Sequence, residues 1–116
     1  TVARRHREGA AHAARLGKDY GFAVASFWQP TVFTKRAKTA AETDHATAFG
    51  PNLGAIYTGA RAAIGNQIED LGDTFSDATQ DVYIDWCHVG EDGNEVLARR
   101  ILESVAPLVR QRLASR

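Results

Sequence analysis

Apolar and polar positions along this chain fall into distinct rhythms, and each rhythm predicts an element. Over residues 2–18, Val2, His6, Ala10, Ala13 and Leu16 recur at three- and four-residue spacing among many alanines, which predicts a helix. Gly17 and Gly21 supply stop signals around Lys18-Asp19-Tyr20. Phe22-Ala23-Val24-Ala25-Ser26-Phe27-Trp28 is then apolar nearly throughout, as in a strand buried on both faces of a parallel sheet flanked by helices. A helix running straight into such a strand is half of a βαβ unit. Gln29-Pro30 closes the strand, because proline has no N–H to donate to a ladder. In open α/β sheets ligands sit just past the carboxyl ends of strands, which makes Gln29, Thr31 and Phe33 the expected substrate wall. For Gln29 a plain strand-capping role is an equal reading.

Residues 34–50 are more polar. Thr39-Ala40-Ala41-Glu42 fits a capping box and predicts a short helix, with His45 solvated on it. The segment reads as a surface excursion rather than a lid. Gly50-Pro51 opens a longer helix with proline at its first position. Leu53, Ile56, Tyr57, Ala60, Ile64, Ile68 and Leu71 form its continuous apolar stripe, and Gly72 ends it. Asp73-Thr74-Phe75 reads as a brief extended piece, Ser76 to Gln80 as a turn, and Val82-Tyr83-Ile84 as a second, short buried strand. Residues 91–114 form the last helix, with Val96, Leu97, Ile101, Val105, Leu108 and Val109 on one side and a kink at Pro107.

Composition narrows the classes. A chain of 116 residues holds one domain at most, and 44% apolar with 24% charged residues is ordinary for a globular chain. Lys+Arg and Asp+Glu both total 14, which argues against broad binding to nucleic acid or anionic membrane. The run Arg4-Arg5-His6-Arg7 has no interleaved aromatics and reads as a solvated helix end. No apolar run approaches the ~20 residues of a membrane span. Cys87 is the sole cysteine, which excludes an internal disulfide. The chain starts at Thr1 and contains no methionine, so a piece of a longer protein is expected.

The candidate chemistry lies in Asp85-Trp86-Cys87-His88, between a predicted strand and the helix that starts beyond Gly90. At that spacing the Asp85 carboxylate can take the proton of one ring nitrogen of His88, leaving the other as a base. Gly90 is an acceptable N-cap, and Glu91 and Asp92 suit the positive end of the helix dipole. Cys87 is expected to pack inward, because neighbours on extended backbone point opposite ways. A metal on Asp85, Cys87 and His88 is not expected, since no second ligand cluster follows.

Ile84-Asp85-Trp86-Cys87-His88, followed by Gly93-Asn94 and an aliphatic, alanine-containing helix, resembles the C-terminal block of the SGNH/GDSL hydrolases. Phe27-Trp28-Gln29-Pro30 resembles a strand end of some members, and the likeness is spread from the first helix to about Ala106. The resemblance implies α/β architecture, the C-terminal part of a flavodoxin-like three-layer α/β/α fold with a parallel sheet, residues 1–116 being a single partial domain. It also implies ester hydrolysis, with His88 as general base toward a serine and Asp85 as its partner, and needs no metal or organic cofactor. The family's Gly-Asp-Ser nucleophile block and its glycine and asparagine oxyanion donors have no counterpart here, and Gly90 stands where a polar residue is common. Ser26, Ser76, Ser104 and Ser115 lack the nucleophile setting. The expected partners are thus an ester substrate of small-molecule, carbohydrate or lipid type, and the missing N-terminal half of the domain or a second copy of the chain. The rival reading is a non-catalytic α/β interaction module on the same scaffold; a weaker one is a Cys87/His88 thiol enzyme.

Overall fold

The computed structural model describes residues 1–115. Its elements run α1 (Val2–Tyr20), β1 (Phe27–Trp28), a 3-10 turn (Val32–Thr34), α2 (Ala40–Thr47), α3 (Asn52–Arg61), β2 (Glu69–Asp70) and α4 (Glu91–Ala114). Helix dominates. β1 and β2 pair in parallel, Phe27 opposite Glu69 and Trp28 opposite Asp70, and form a two-stranded sheet. This corrects the expected flavodoxin-like three-layer α/β/α architecture. The apolar run from Phe22 was read as a full strand, yet only its end finds a neighbour to bond. Extended chain becomes sheet only where a second chain takes its N–H and C=O groups.

α1 forms where the spacing predicts it. Thr1 caps its start, accepting from the Arg4 N–H at 3.3 Å. Gly21 ends it in the left-handed conformation, φ 75°. The chain then doubles back so tightly that Phe22 N donates to Gly17 O at 2.9 Å. A Cβ at Gly17 would lie 2.6 Å from Phe22 O, so this return requires glycine.

α2 carries the full capping box: the Thr39 hydroxyl accepts from Glu42 N, and the Glu42 carboxylate accepts from Thr39 N. α3 starts one residue later than expected, with Pro51 as its cap, and stops at Arg61 rather than running to Leu71. Gly65, at φ 79°, turns the chain out of the helix. Ile64, Ile68 and Leu71 are buried as the stripe requires, but from the turn, from just before β2 and from just after it. Arg61 ties the two pieces together, its Nε 2.7 Å from Asp70 and its Nη2 2.6 Å from Asp73. Asp73-Thr74-Phe75 lies in a run of turns, not in an extended piece.

The main core lies away from the sheet. Val32, Phe75, Val82, Tyr83 and Val89 are buried together, with Phe33, Trp86 and Leu97 packed against them. This cluster sits under the Asp85–His88 turn and gives that turn a fixed floor. α4 runs over residues 91–114 as predicted, with Pro107 inside it. No described helix is long and apolar enough to cross a membrane.

Candidate catalytic dyad

Val82-Tyr83-Ile84 is not a strand of a sheet. Tyr83 and Val89 form a single antiparallel bridge, Ile84 N donates to His88 O and Gly90 N to Val82 O, both at 2.9 Å. The two arms close a narrow loop with Asp85 to His88 at its tip. The loop is also held from outside: Val32 N donates to Trp86 O at 2.9 Å. Val82 N and Tyr83 N, which a neighbouring strand would have engaged, donate instead to Glu42 Oε1 at 2.9 and 3.2 Å.

Within the loop Asp85 uses both carboxylate oxygens. Oδ1 accepts from Cys87 N at 2.8 Å and from His88 N at 2.7 Å, which shapes the turn. Oδ2 lies 2.6 Å from His88 Nδ1. The His88 N–H, then the His88 ring, then the Cys87 N–H hold the Asp85 carboxyl far below the usual carboxylate range. An ionised carboxylate can only accept, so Nδ1 carries a proton, and in the neutral imidazole the lone pair is on Nε2. The His88 side chain is 72% exposed. The expected meeting of Asp85 and His88 is present, on a hairpin-like loop instead of a strand end.

Asp85, Cys87 and His88 also offer donor atoms within 4.8 Å of one another. The hydrogen bond between Asp85 and His88 takes up the space and the lone pair a cation would use. Burial first, and then the Asp85 charge, push the Cys87 thiol up, away from the thiolate a nucleophile needs. The donor set fits a hydrogen-bonded dyad better than a metal centre.

The expected substrate wall is brought together in part. Gln29 is exposed, and its carbonyl accepts from Tyr57 Oη at 2.8 Å. Thr31 is 1% exposed. Both border a cavity of about 400 Å³ that Trp28, Tyr57 and Trp86 also line. Phe33 stands behind it, its ring centroid 6.2 Å from those of Tyr57 and Trp86. Gly54 makes room for that ring, since a Cβ there would meet it at 3.0 Å.

Lys35 and Glu42 brace this loop, and the sequence alone does not reveal them. Both side chains are 0% exposed and 2.5 Å apart. Burial alone would raise the Glu42 carboxyl; Lys35 and the N–H groups of Thr39, Val82 and Tyr83 outweigh it and bring it from 4.5 down to about 2. The Lys35 ammonium also reaches the Gln80 carbonyl. The capping box at Thr39 was the available signal, but it announced only a helix start, not a carboxylate reaching Val82 and Tyr83.

A loop-borne Asp–His pair with an outward ring nitrogen is the class of site present. Comparison with known proteins finds no matching family model, no matching curated protein and no matching solved structure. These comparisons give no support to a likeness to the SGNH hydrolases, which rests on the sequence of the Asp85–His88 block.

Proposed function

We propose that this chain carries the acid–base pair of an ester hydrolase working by serine acyl transfer. The observation that supports it most is the 2.6 Å contact between Asp85 Oδ2 and His88 Nδ1, with the opposite ring nitrogen turned to solvent. In the reaction His88 Nε2 takes the proton of a serine hydroxyl as its oxygen attacks the ester carbonyl, and Asp85 stabilises the imidazolium that results. Hydrogen-bond donors hold the developing oxyanion. His88 then gives its proton to the departing alcohol, and water repeats the cycle on the acyl-enzyme.

On this reading the serine and the oxyanion donors come from outside these 116 residues. The substrate is an ester of small-molecule, carbohydrate or lipid type, and the mechanism needs neither a metal nor an organic cofactor.

Labelling of the full-length natural protein with a fluorophosphonate, followed by peptide mapping, tests the reading. The label is expected on a serine outside residues 1–116, and His88→Ala should remove both the label and turnover of para-nitrophenyl acetate. Absence of label and of turnover in the unaltered protein points to the interaction module instead. An unchanged rate in Cys87→Ser removes the thiol enzyme.

A further inference from the structure

The two tryptophans of the chain, Trp28 and Trp86, line one cavity of about 400 Å³. That size lies within the usual range for small-molecule pockets, about 300–1,000 Å³. Phe27, Leu53, Ile56 and Tyr57 complete its apolar wall, and no Lys, Arg, Asp or Glu contributes to the lining. The rings are braced against one another. His6 stands edge-on to Trp28 with centroids 5.3 Å apart, and Trp28 meets Tyr57 at 5.6 Å. Phe33 links Tyr57 to Trp86 from behind. Tyr57 is anchored by its hydrogen bond to Gln29 O, so the aromatic wall has its shape before anything binds. Burial raises the Tyr57 hydroxyl and keeps it neutral. Trp86 belongs to the same tight loop as His88, so one loop contributes to both the cavity and the dyad.

We propose that this cavity is a binding site for an uncharged ring or branched aliphatic group of a small molecule. Aromatic faces and aliphatic side chains attract such a group by apolar burial and stacking. A charged group would lose its hydration there with no Lys, Arg, Asp or Glu in the lining to offset the loss. In the hydrolase, this group is the acyl or alcohol part of the ester, held with its carbonyl toward His88. That second statement rests on the hydrolase reading; the binding of an apolar group does not.

The test is a proton–nitrogen correlation spectrum of the full-length natural protein, in which each tryptophan contributes one indole N–H signal and those of Trp28 and Trp86 are assigned through Trp28→Phe and Trp86→Phe. Phenylacetone, a ketone that mimics a benzyl ester and cannot be hydrolysed, is the probe. Both indole signals should shift saturably, with a dissociation constant on the order of a millimolar for a ligand of this size. Benzoate, which brings a ring with a charge, should bind at least about tenfold more weakly. Ala60→Phe and, separately, Leu53→Phe place a ring in the cavity from α3, and either variant that keeps a folded spectrum should weaken phenylacetone about tenfold or more.

Indole signals that fail to saturate, benzoate binding as tightly as the ketone, or undiminished affinity in the folded filling variant each overturn the proposal. Binding without ester turnover in the full-length protein would discard the hydrolase reading and leave the pocket standing.

Discussion

At Asp85 one carboxylate does two jobs, and a single substitution separates them. In Asp85→Asn the side-chain oxygen can still accept from the N–H groups of Cys87 and His88 and keep the turn, while the charge opposite the imidazole is lost. On the proposed hydrolase reading, kcat of the full-length protein for an activated ester should then fall by a factor on the order of 10⁴, with little change in unfolding midpoint. A rate within tenfold of the natural protein would remove Asp85 from the mechanism. Glu42 and Lys35 make the opposite case, a pair whose effect is on stability. Glu42→Gln leaves the Lys35 ammonium buried without its counter-charge and should cost about 3–5 kcal/mol in urea unfolding. The Glu42 carboxyl is depressed from 4.5 to about 2, so its contribution is complete above the unfolded value and is lost as pH falls through the folded one. Stability should therefore drop between roughly pH 4.5 and pH 2 in the natural chain, and this drop should be missing in Glu42→Gln. The Asp–His pair was legible from spacing alone because three residues of a tight turn bring the two side chains together. Glu42 was not, because its partners Val82 and Tyr83 are forty residues away in sequence.

At the scale of elements, helices were read well and strands badly. α1 and α4 follow their predicted ranges because capping and i to i+4 bonding are local. β1 shrank to two residues and Val82–Ile84 became one arm of a loop, because a strand depends on a neighbour the sequence does not name. α3 was overextended for a different reason: Ile64, Ile68 and Leu71 keep helical spacing, yet Gly65 turns the chain between them. The joint between the dyad loop and α4 is close-packed. A Cβ on Gly93 would meet Val89 Cβ at 2.8 Å, and Asn94 Nδ2 donates to Val89 O at 3.3 Å. Gly93→Ala in an open helix would stabilise by about 1 kcal/mol. Here it should destabilise by about 1–3 kcal/mol and displace the His88 loop, read as a lower urea midpoint and shifted amide signals of residues 85–89. A higher midpoint would mean that α4 has slack over Val89.

The whole molecule is a thin, extended slab. Its axes measure 51 × 31 × 17 Å, and its radius of gyration is 16.2 Å, against about 13 Å for a compact chain of this length. Large apolar side chains stay open on it, among them Phe22 at 50%, Leu102 at 61% and Leu113 at 65% exposed. Residues 22–25 run extended beside the C-terminal half of α4, with no described strand on them. Surfaces of this kind mark where another protein segment packs. In dilute solution the isolated chain should enhance the fluorescence of a hydrophobic dye and sediment with a mass that rises with concentration. A sharp, concentration-independent monomer with no dye response would contradict both expectations.

What the sequence determined by itself is local: the helical caps, the apolar faces, and the reach of Asp85 to His88 across a short turn. Those follow from bonding within a few residues and need no distant partner. The tertiary structure decided the rest. It left the apolar run at Phe22 mostly unpaired, gave the donors of Val82 and Tyr83 to a buried carboxylate, and gathered Trp28, Tyr57 and Trp86 around one cavity. Each of these depends on which segments meet across long stretches of chain, and hydrophobic spacing fixes which residues are buried without fixing against what.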